Sequence, residues 1–171
     1  MSVSEITETR QYLTFKLGNE VFATDVAKVR EVLDLTAITA IPRTPEFMAG
    51  VINLRGSVVP VVDLRLCFGM TKTESTRNTC IVVVEVLLEN EPVVIGALAD
   101  SVEEVIDMEP DQIQPAPRMG TQIQTDFIKG MGKRDAQFIM ILDIDRVFSA
   151  DELAVARGAE LQSKALAEVA A

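Results

Sequence analysis

The chain contains no histidine and no tryptophan, one tyrosine and two cysteines in 171 residues. The missing histidine removes the common Ser/His and Cys/His nucleophile pairs and the commonest zinc ligand. An enzyme built on this chain would have to work with carboxylates, Lys, Tyr or Cys. The two cysteines, Cys67 and Cys80, have neither redox-pair nor zinc-framework spacing. Each stands beside apolar residues ("LCFG", "NTCIVVV") and reads as a reduced thiol packed as a small hydrophobe. Positive charge is also short: 16 Lys and Arg stand against 26 Asp and Glu, a net charge of -10. That field repels a phosphate backbone or an anionic membrane surface, so nucleic acid is not an expected partner. No apolar run reaches the roughly 20 residues of a membrane helix, so no direct membrane insertion is expected. No signal peptide is visible in "MSVSEITETR", and the expected location is cytoplasmic.

What the chain has is branched apolar residues in short runs; 48% of it is hydrophobic and only 5% aromatic. Residues 1–9 read as a polar tail. In "QYLTFKLGNEVFATDV", Leu13, Phe15 and Leu17 alternate with Tyr12, Thr14 and Lys16, which predicts a strand, a turn at "GNE" and a return strand. "TDVAKVREVLDL" predicts a short early helix, capped by Thr24 or Asp25, with Val26, Val29 and Leu33 as one stripe. Glu31 then projects about 140° away from Val26, toward water or a partner. "PEFMAG" suits a single helical turn with Pro first and Gly after.

"GVINLRGSVVPVVDL" reads as two strands around a charged tip, with Gly56 giving the turn its freedom and Arg55 on the rim. Pro60 predicts an edge or bulged strand. Further hairpins are expected at "ENEP" and "KRDAQ", and a capping box at Ser149 and Glu152 opens a C-terminal helix or tail over 151–171. Asp143 and Asp145 alternate with apolar residues, which puts both carboxylates on one strand face, a weak cation site at best. "GMGK" at 130–133 lacks the spacing of a phosphate loop and reads as a turn. Nine or ten short strands in hairpins, without regular βαβ alternation, predict an all-β domain over residues 10–150 with minor α content, built as small antiparallel barrels. Nothing assembles a nucleophile, a base and an oxyanion donor. Residues alone lead to an acidic, noncatalytic interaction module.

"RTPEFMAGVINLRGSVVPVVDLR" resembles the signature of the CheW family of chemotaxis coupling proteins: Thr-Pro, a short turn, G-V-x-N-L-R-G, then P-x-x-D-L. The first hairpin, "QIQPAP" at 112–117 and "FIKGMGK" at 127–133 resemble the family too, over roughly residues 10–150. The resemblance implies two small five-stranded antiparallel β-barrel subdomains sharing an apolar core, no catalysis and no cofactor. It implies two partners, the cytoplasmic tip of chemoreceptors and the regulatory C-terminal domain of the histidine kinase CheA, and recruitment to receptor clusters. It makes Arg55 and Glu31 the expected functional pair, with Val29 and Val32 as apolar contacts and Asn53 and Gly56 as turn formers. The alternatives are an adapter of another chemosensory system, such as pilus motility, and a cation-binding barrel or carboxylate enzyme using Asp143 and Asp145.

Overall fold

A computed structural model describes residues 9–72, 74–88, 90–114, 127–134, 136–148 and 158. The expected N-terminal tail, apart from residue 9, and the expected C-terminal helix, apart from helical Gly158, lie outside the described residues, as does its capping box.

Short runs of β-branched residues separated by turn formers make strands that bury one face or both. The first hairpin is β1 (Arg10–Leu17) and β2 (Glu20–Asp25), turning on Gly18 at φ 63°. Asp25 does cap a helical start, accepting the Ala27 N–H at 2.9 Å. The helix stops after one 3-10 turn, Val26–Lys28, and the expected early helix is instead β3 (Val29–Asp34). The reason is a bulge. Val29 pairs with Val84 but Glu31 pairs with Val83, so one extra residue sits in β3. That extra residue puts Val29 and Leu33, expected on one helical stripe, on opposite faces of a strand, Val29 toward the core between the sheets and Leu33 inside the five-stranded sheet.

β4 (Met48–Leu54) and β5 (Ser57–Asp63) form the charged hairpin, followed by the short helix α1 (Leu64–Cys67). The expected helical turn at "PEFMAG" is a plain turn closed by Met48 N–H to Pro45 O, and Met48 already belongs to β4. β6 (Cys80–Leu88), β7 (Glu91–Ala99) and β8 (Ser101–Met108) follow, then the two-residue β9 (Ile113–Gln114). β10 (Ile128–Arg134), β11 (Gln137–Leu142) and α2 (Ile144–Val147) complete the described elements.

The strands form two sheets, ordered β8-β1-β2-β11-β10-β9 and β3-β6-β7-β5-β4. One sheet therefore has six strands where five were expected, the sixth being the small β9. Neither is purely antiparallel: β11 runs parallel to β2, and β5 parallel to β7. Of the edge or bulged strand expected from Pro60, the edge is not found, since β5 is interior; a bulge is present in its ladder, on the β4 side between Met48 and Gly50. The proline fits because Val51, opposite it, exchanges both backbone hydrogen bonds with Thr39, and the ladder to β7 begins one residue later at Val61.

Each sheet curls around its own apolar cluster. Tyr12, Val21, Ile106, Ile113 and Ile141 fill the six-stranded one; Ile52, Val59, Val61, Ile81 and Val83 fill the five-stranded one. A third and larger cluster lies between them, with Leu13, Phe15 and Phe22 from one sheet and Val62, Val82, Val84 and Ile95 from the other. Phe68 crosses this boundary, its ring 5.4 Å from Phe22 and 4.7 Å from Phe127. The shared apolar core implied by the family resemblance is this third cluster.

The two halves repeat one backbone plan. A shift of 80 positions carries Phe47, Gly50, Asp63 and Phe68 onto Phe127, Gly130, Asp143 and Phe148. The bulge between Met48 and Gly50 recurs between Ile128 and Gly130. The bond from Asp63 N–H to Phe47 O recurs from Asp143 N–H to Phe127 O, at 2.8 and 2.7 Å. Chain order makes the repeat nested: β3 to β7 build the five-stranded sheet without interruption, while the six-stranded sheet needs both β1–β2 and β8–β11.

Candidate functional site

The β4–β5 hairpin turns on two residues, since Leu54 pairs with Ser57. Such tight turns place both central residues at positive φ, because only that twist matches the strands. Arg55 stands at φ 51° and Gly56 at 87°. Asn53 Oδ1 accepts the Gly56 N–H at 2.8 Å and locks the turn. Asn53 and Gly56 thus occupy turn-forming positions, while Arg55 holds a conformation that an ordinary side chain rarely adopts.

From this tip the Arg55 guanidinium grips Glu31 with two bonds, Nη1 to Oε2 at 2.9 Å and Nη2 to Oε1 at 2.7 Å. The planar fork matches the carboxylate. The bonds to Glu31 and its charge raise the Arg55 pKa further above its ordinary value. The Arg55 side chain is 75% exposed and that of Glu31 22%. Since β3 and β4 are opposite edges of their sheet, this pair straps the two ends of the curl together.

The valines sit differently from expectation. Val29 and Val32 pair with Val84 and Val82, whose side chains belong to the cluster between the sheets. Glu31 and Leu33 pair with Val83 and Ile81, which fill the inside of the five-stranded sheet. Cross-strand partners share a face, so Val29 and Val32 lie on the opposite face of β3 from Glu31. Val29 packs on the shared core, while Val32 is 41% exposed. β3 therefore presents a charged strap on one side and an open valine on the other.

Asp143 and Asp145 do not share a strand face. Asp143 occupies the cap position of α2 and is buried, and Asp145 lies within α2, accepting the Leu87 N–H at 2.9 Å. Among the described residues no cluster of three or more His, Cys, Asp or Glu side chains could hold a metal. Cys67 and Cys80 are half-buried and unbridged. Among the described residues no helix is long and apolar enough to cross a membrane.

Sequence reading missed a second strap. Arg134 of β10 reaches Glu104 of β8 at 3.0 Å, across the curl of the six-stranded sheet. It also missed two ion pairs that join the halves. Arg65 Nε donates to Asp100 Oδ1 at 2.9 Å, and Asp100 Oδ2 accepts the Gly18 N–H at 2.7 Å. The bond from Arg65 chiefly, with the Gly18 N–H behind it, holds the Asp100 carboxyl below the usual range, against the opposing effect of burial. Lys28 Nζ meets Asp145 Oδ2 at 2.9 Å. No local pattern marks partners this far apart in sequence.

Two curled sheets on a shared core, with surface ion-pair straps, define a small β-rich domain. The CheW-like domain family matches residues 11–152 of this chain. The chemotaxis protein CheW of Klebsiella aerogenes is 34% identical over 146 residues, 85% of this chain and 86% of that protein. The probable chemotaxis protein CheW of Rhizobium etli is 32% identical over 143 residues, 84% of this chain and 90% of that one. The crystal structure of the scaffolding protein TtCheW from Thermoanaerobacter tengcongensis has 35% sequence identity, covers 85% of this chain and 92% of its own, and superposes with a TM-score of 0.75. The chain belongs to the CheW-like family, and its relatives place it among chemotaxis adapters.

Proposed function

We propose that this chain is a noncatalytic adapter that couples the cytoplasmic tips of methyl-accepting chemoreceptors to the regulatory C-terminal domain of the histidine kinase CheA, in the cytoplasm beneath receptor clusters. The receptor contact is the rim formed by β3 and the β4–β5 tip, with Arg55 and Glu31 as its ordered charges and Val32 as an open apolar contact.

One observation carries this reading. The turn takes a strained residue at an exposed point, where Gly or Asn would sit without strain, and that residue is an Arg held in a two-bond grip. Strain kept at a surface position points to use by a partner. A receptor tip is helical, and a helix docks by apolar anchors flanked by fixed charges.

Calorimetric titration of this protein with a receptor signalling-tip fragment, and separately with the kinase regulatory domain, tests the proposal. Wild type is expected to bind both. Arg55→Ala and Glu31→Ala are expected to stay folded, lose most receptor affinity and keep kinase binding. Wild-type binding to neither partner would overturn the adapter reading; unchanged receptor binding in both variants would overturn the assignment of the rim.

A further inference from the structure

The two ion pairs that join the halves occupy equivalent places with their charges exchanged. Each involves the second residue of a short helix, Arg65 in α1 and Asp145 in α2, again 80 positions apart. Each reaches a residue on a segment where the chain passes between sheets: Asp100, between β7 and β8, and Lys28, between β2 and β3. In each the carboxylate also accepts a backbone N–H from a hairpin of the other half: Gly18 at the β1–β2 turn for Asp100, Leu87 near the end of β6 for Asp145. Two clasps of opposite polarity therefore hold the halves together, one at the start of β8 and one at the start of β3.

The second clasp bears on the candidate site. β3 is an edge strand whose sole neighbour in its sheet, among the described residues, is β6. Its start is bulged, which weakens the ladder where Val29 gives way to Glu31. Asp145 ties the entry of β3 to its neighbour, through Lys28 in the 3-10 turn that leads directly into β3 and through Leu87 in β6. Its own helix is fixed by Ile144 and Val147, both buried in the shared core. We infer that Asp145 and Lys28 are positioning residues for the partner-binding strand: the Asp145 carboxylate, held by the six-stranded half, sets the position of β3 and so presents Glu31, Arg55 and Val32 to the receptor tip. The inference rests on the proposed adapter function for its partner, and on geometry alone for the clasp.

The clasp acts on β3 and leaves the Arg55–Glu31 grip in place, so its loss changes presentation and not the contact groups. Asp145→Asn keeps the shape and removes the charge. Lys28→Met keeps the stem and removes the ammonium. Each variant of the full chain is titrated with the receptor signalling-tip fragment and with the kinase regulatory domain, and backbone amide exchange is followed in β3 and β8. Loss of a charge-assisted bond next to the binding strand is expected to weaken receptor affinity about fivefold. Kinase affinity is expected to hold, exchange to rise in β3 and not in β8, and the double variant to fall no further than Asp145→Asn alone. Asp100→Asn is the matched control: it opens the other clasp, and exchange should rise in β8 and not in β3. Receptor affinity and β3 exchange unchanged in folded Asp145→Asn would overturn the inference. Equal weakening of both partners with exchange rising throughout would also overturn it, as general destabilisation. If wild type binds no receptor tip, the adapter reading fails, and β3 exchange decides the clasp: a rise confined to β3 supports it, and no rise overturns it.

Discussion

The two hairpins that end at α1 and α2 share their backbone and little else. Phe, Gly, Asp and Phe recur at equal spacing, and those positions carry the bulge and the backbone bond from Asp to Phe. At the tips the residues diverge. One tip holds Arg55 and Gly56 at positive φ with a two-bond grip on Glu31; the other has Ala136 at φ 68° in the place of Gly56, and its strap starts a residue earlier, at Arg134. The Arg134–Glu104 pair is single-bonded, with both side chains about half exposed or more. The fold thus rests on a few positions required by sterics, which leaves each rim free to specialise in its charges.

The sharpest way to break this comparison is at a residue the shared plan needs. Gly50 sits at φ 146°, and a Cβ there would run into the Thr39 carbonyl oxygen. Gly50→Ala is expected to lose on the order of 3 kcal/mol or more, or to leave no folded protein, in a thermal melt. At Gly132 an added Cβ meets the flexible end of the buried Met108 side chain and not backbone, so Gly132→Ala requires only that Met108 repack and should lose less, about 1–2 kcal/mol. Equal losses would show that the backbone obstruction at Gly50 is relieved by movement.

The clasps come next. The Arg65 and Asp100 side chains are 17% and 29% exposed, and the Lys28 and Asp145 side chains somewhat more in sum. Asp100→Ala is expected to lower unfolding free energy by about 2 kcal/mol and Asp145→Ala by about 1 kcal/mol, measured by urea titration. The reverse order would mean that burial does not rank them. Acid separates them further. The Asp100 carboxyl titrates below its unfolded value, so its contribution is complete above that value and is lost as pH falls through the lower folded one. The stability gap between wild type and Asp100→Asn should therefore be constant near neutrality and narrow only below about pH 4. A gap that narrows near pH 6 would contradict the assignment.

The smallest stability effects belong to the straps. Arg134→Ala should change stability by less than about 0.5 kcal/mol. Arg55→Gly removes the two-bond grip but also relieves a left-handed backbone, so its melting temperature should stay near wild type while receptor binding falls. A large drop in melting temperature would recast the Arg55–Glu31 pair as structural.

The hairpins were legible in the sequence because alternation and turn residues are local signals. β3 was not, because Val26, Val29 and Leu33 are spaced as a helical stripe and Asp25 supplies a true helix cap, while the bulge that puts Val29 and Leu33 on opposite faces leaves no local signal. The three valines between 26 and 32 were the contrary sign, since branched residues favour strands. Pro60 misled for a related reason: its place in an interior strand depends on Thr39 occupying Val51, a contact that local pattern does not carry. Arg55 and Glu31 became a pair only through the family resemblance. The opposite faces of Glu31 and Val32 needed the strand register.

The nesting of the two sheets has a temporal side. Everything the five-stranded sheet needs lies between Val29 and Ala99, whereas Val21 must wait for Ile139 to close the six-stranded one. On a ribosome, or after dilution from denaturant, the inner sheet can finish while β1 and β2 wait as a lone hairpin, since long-range parallel pairing is slow to close. The rim strap between Glu31 and Arg55 then matures before the clasp at Asp145, and the protein would have its contact groups before it has the means to aim them. Pulse-labelled amide exchange during refolding should show protection in β6 and β7 preceding protection in β2 and β11.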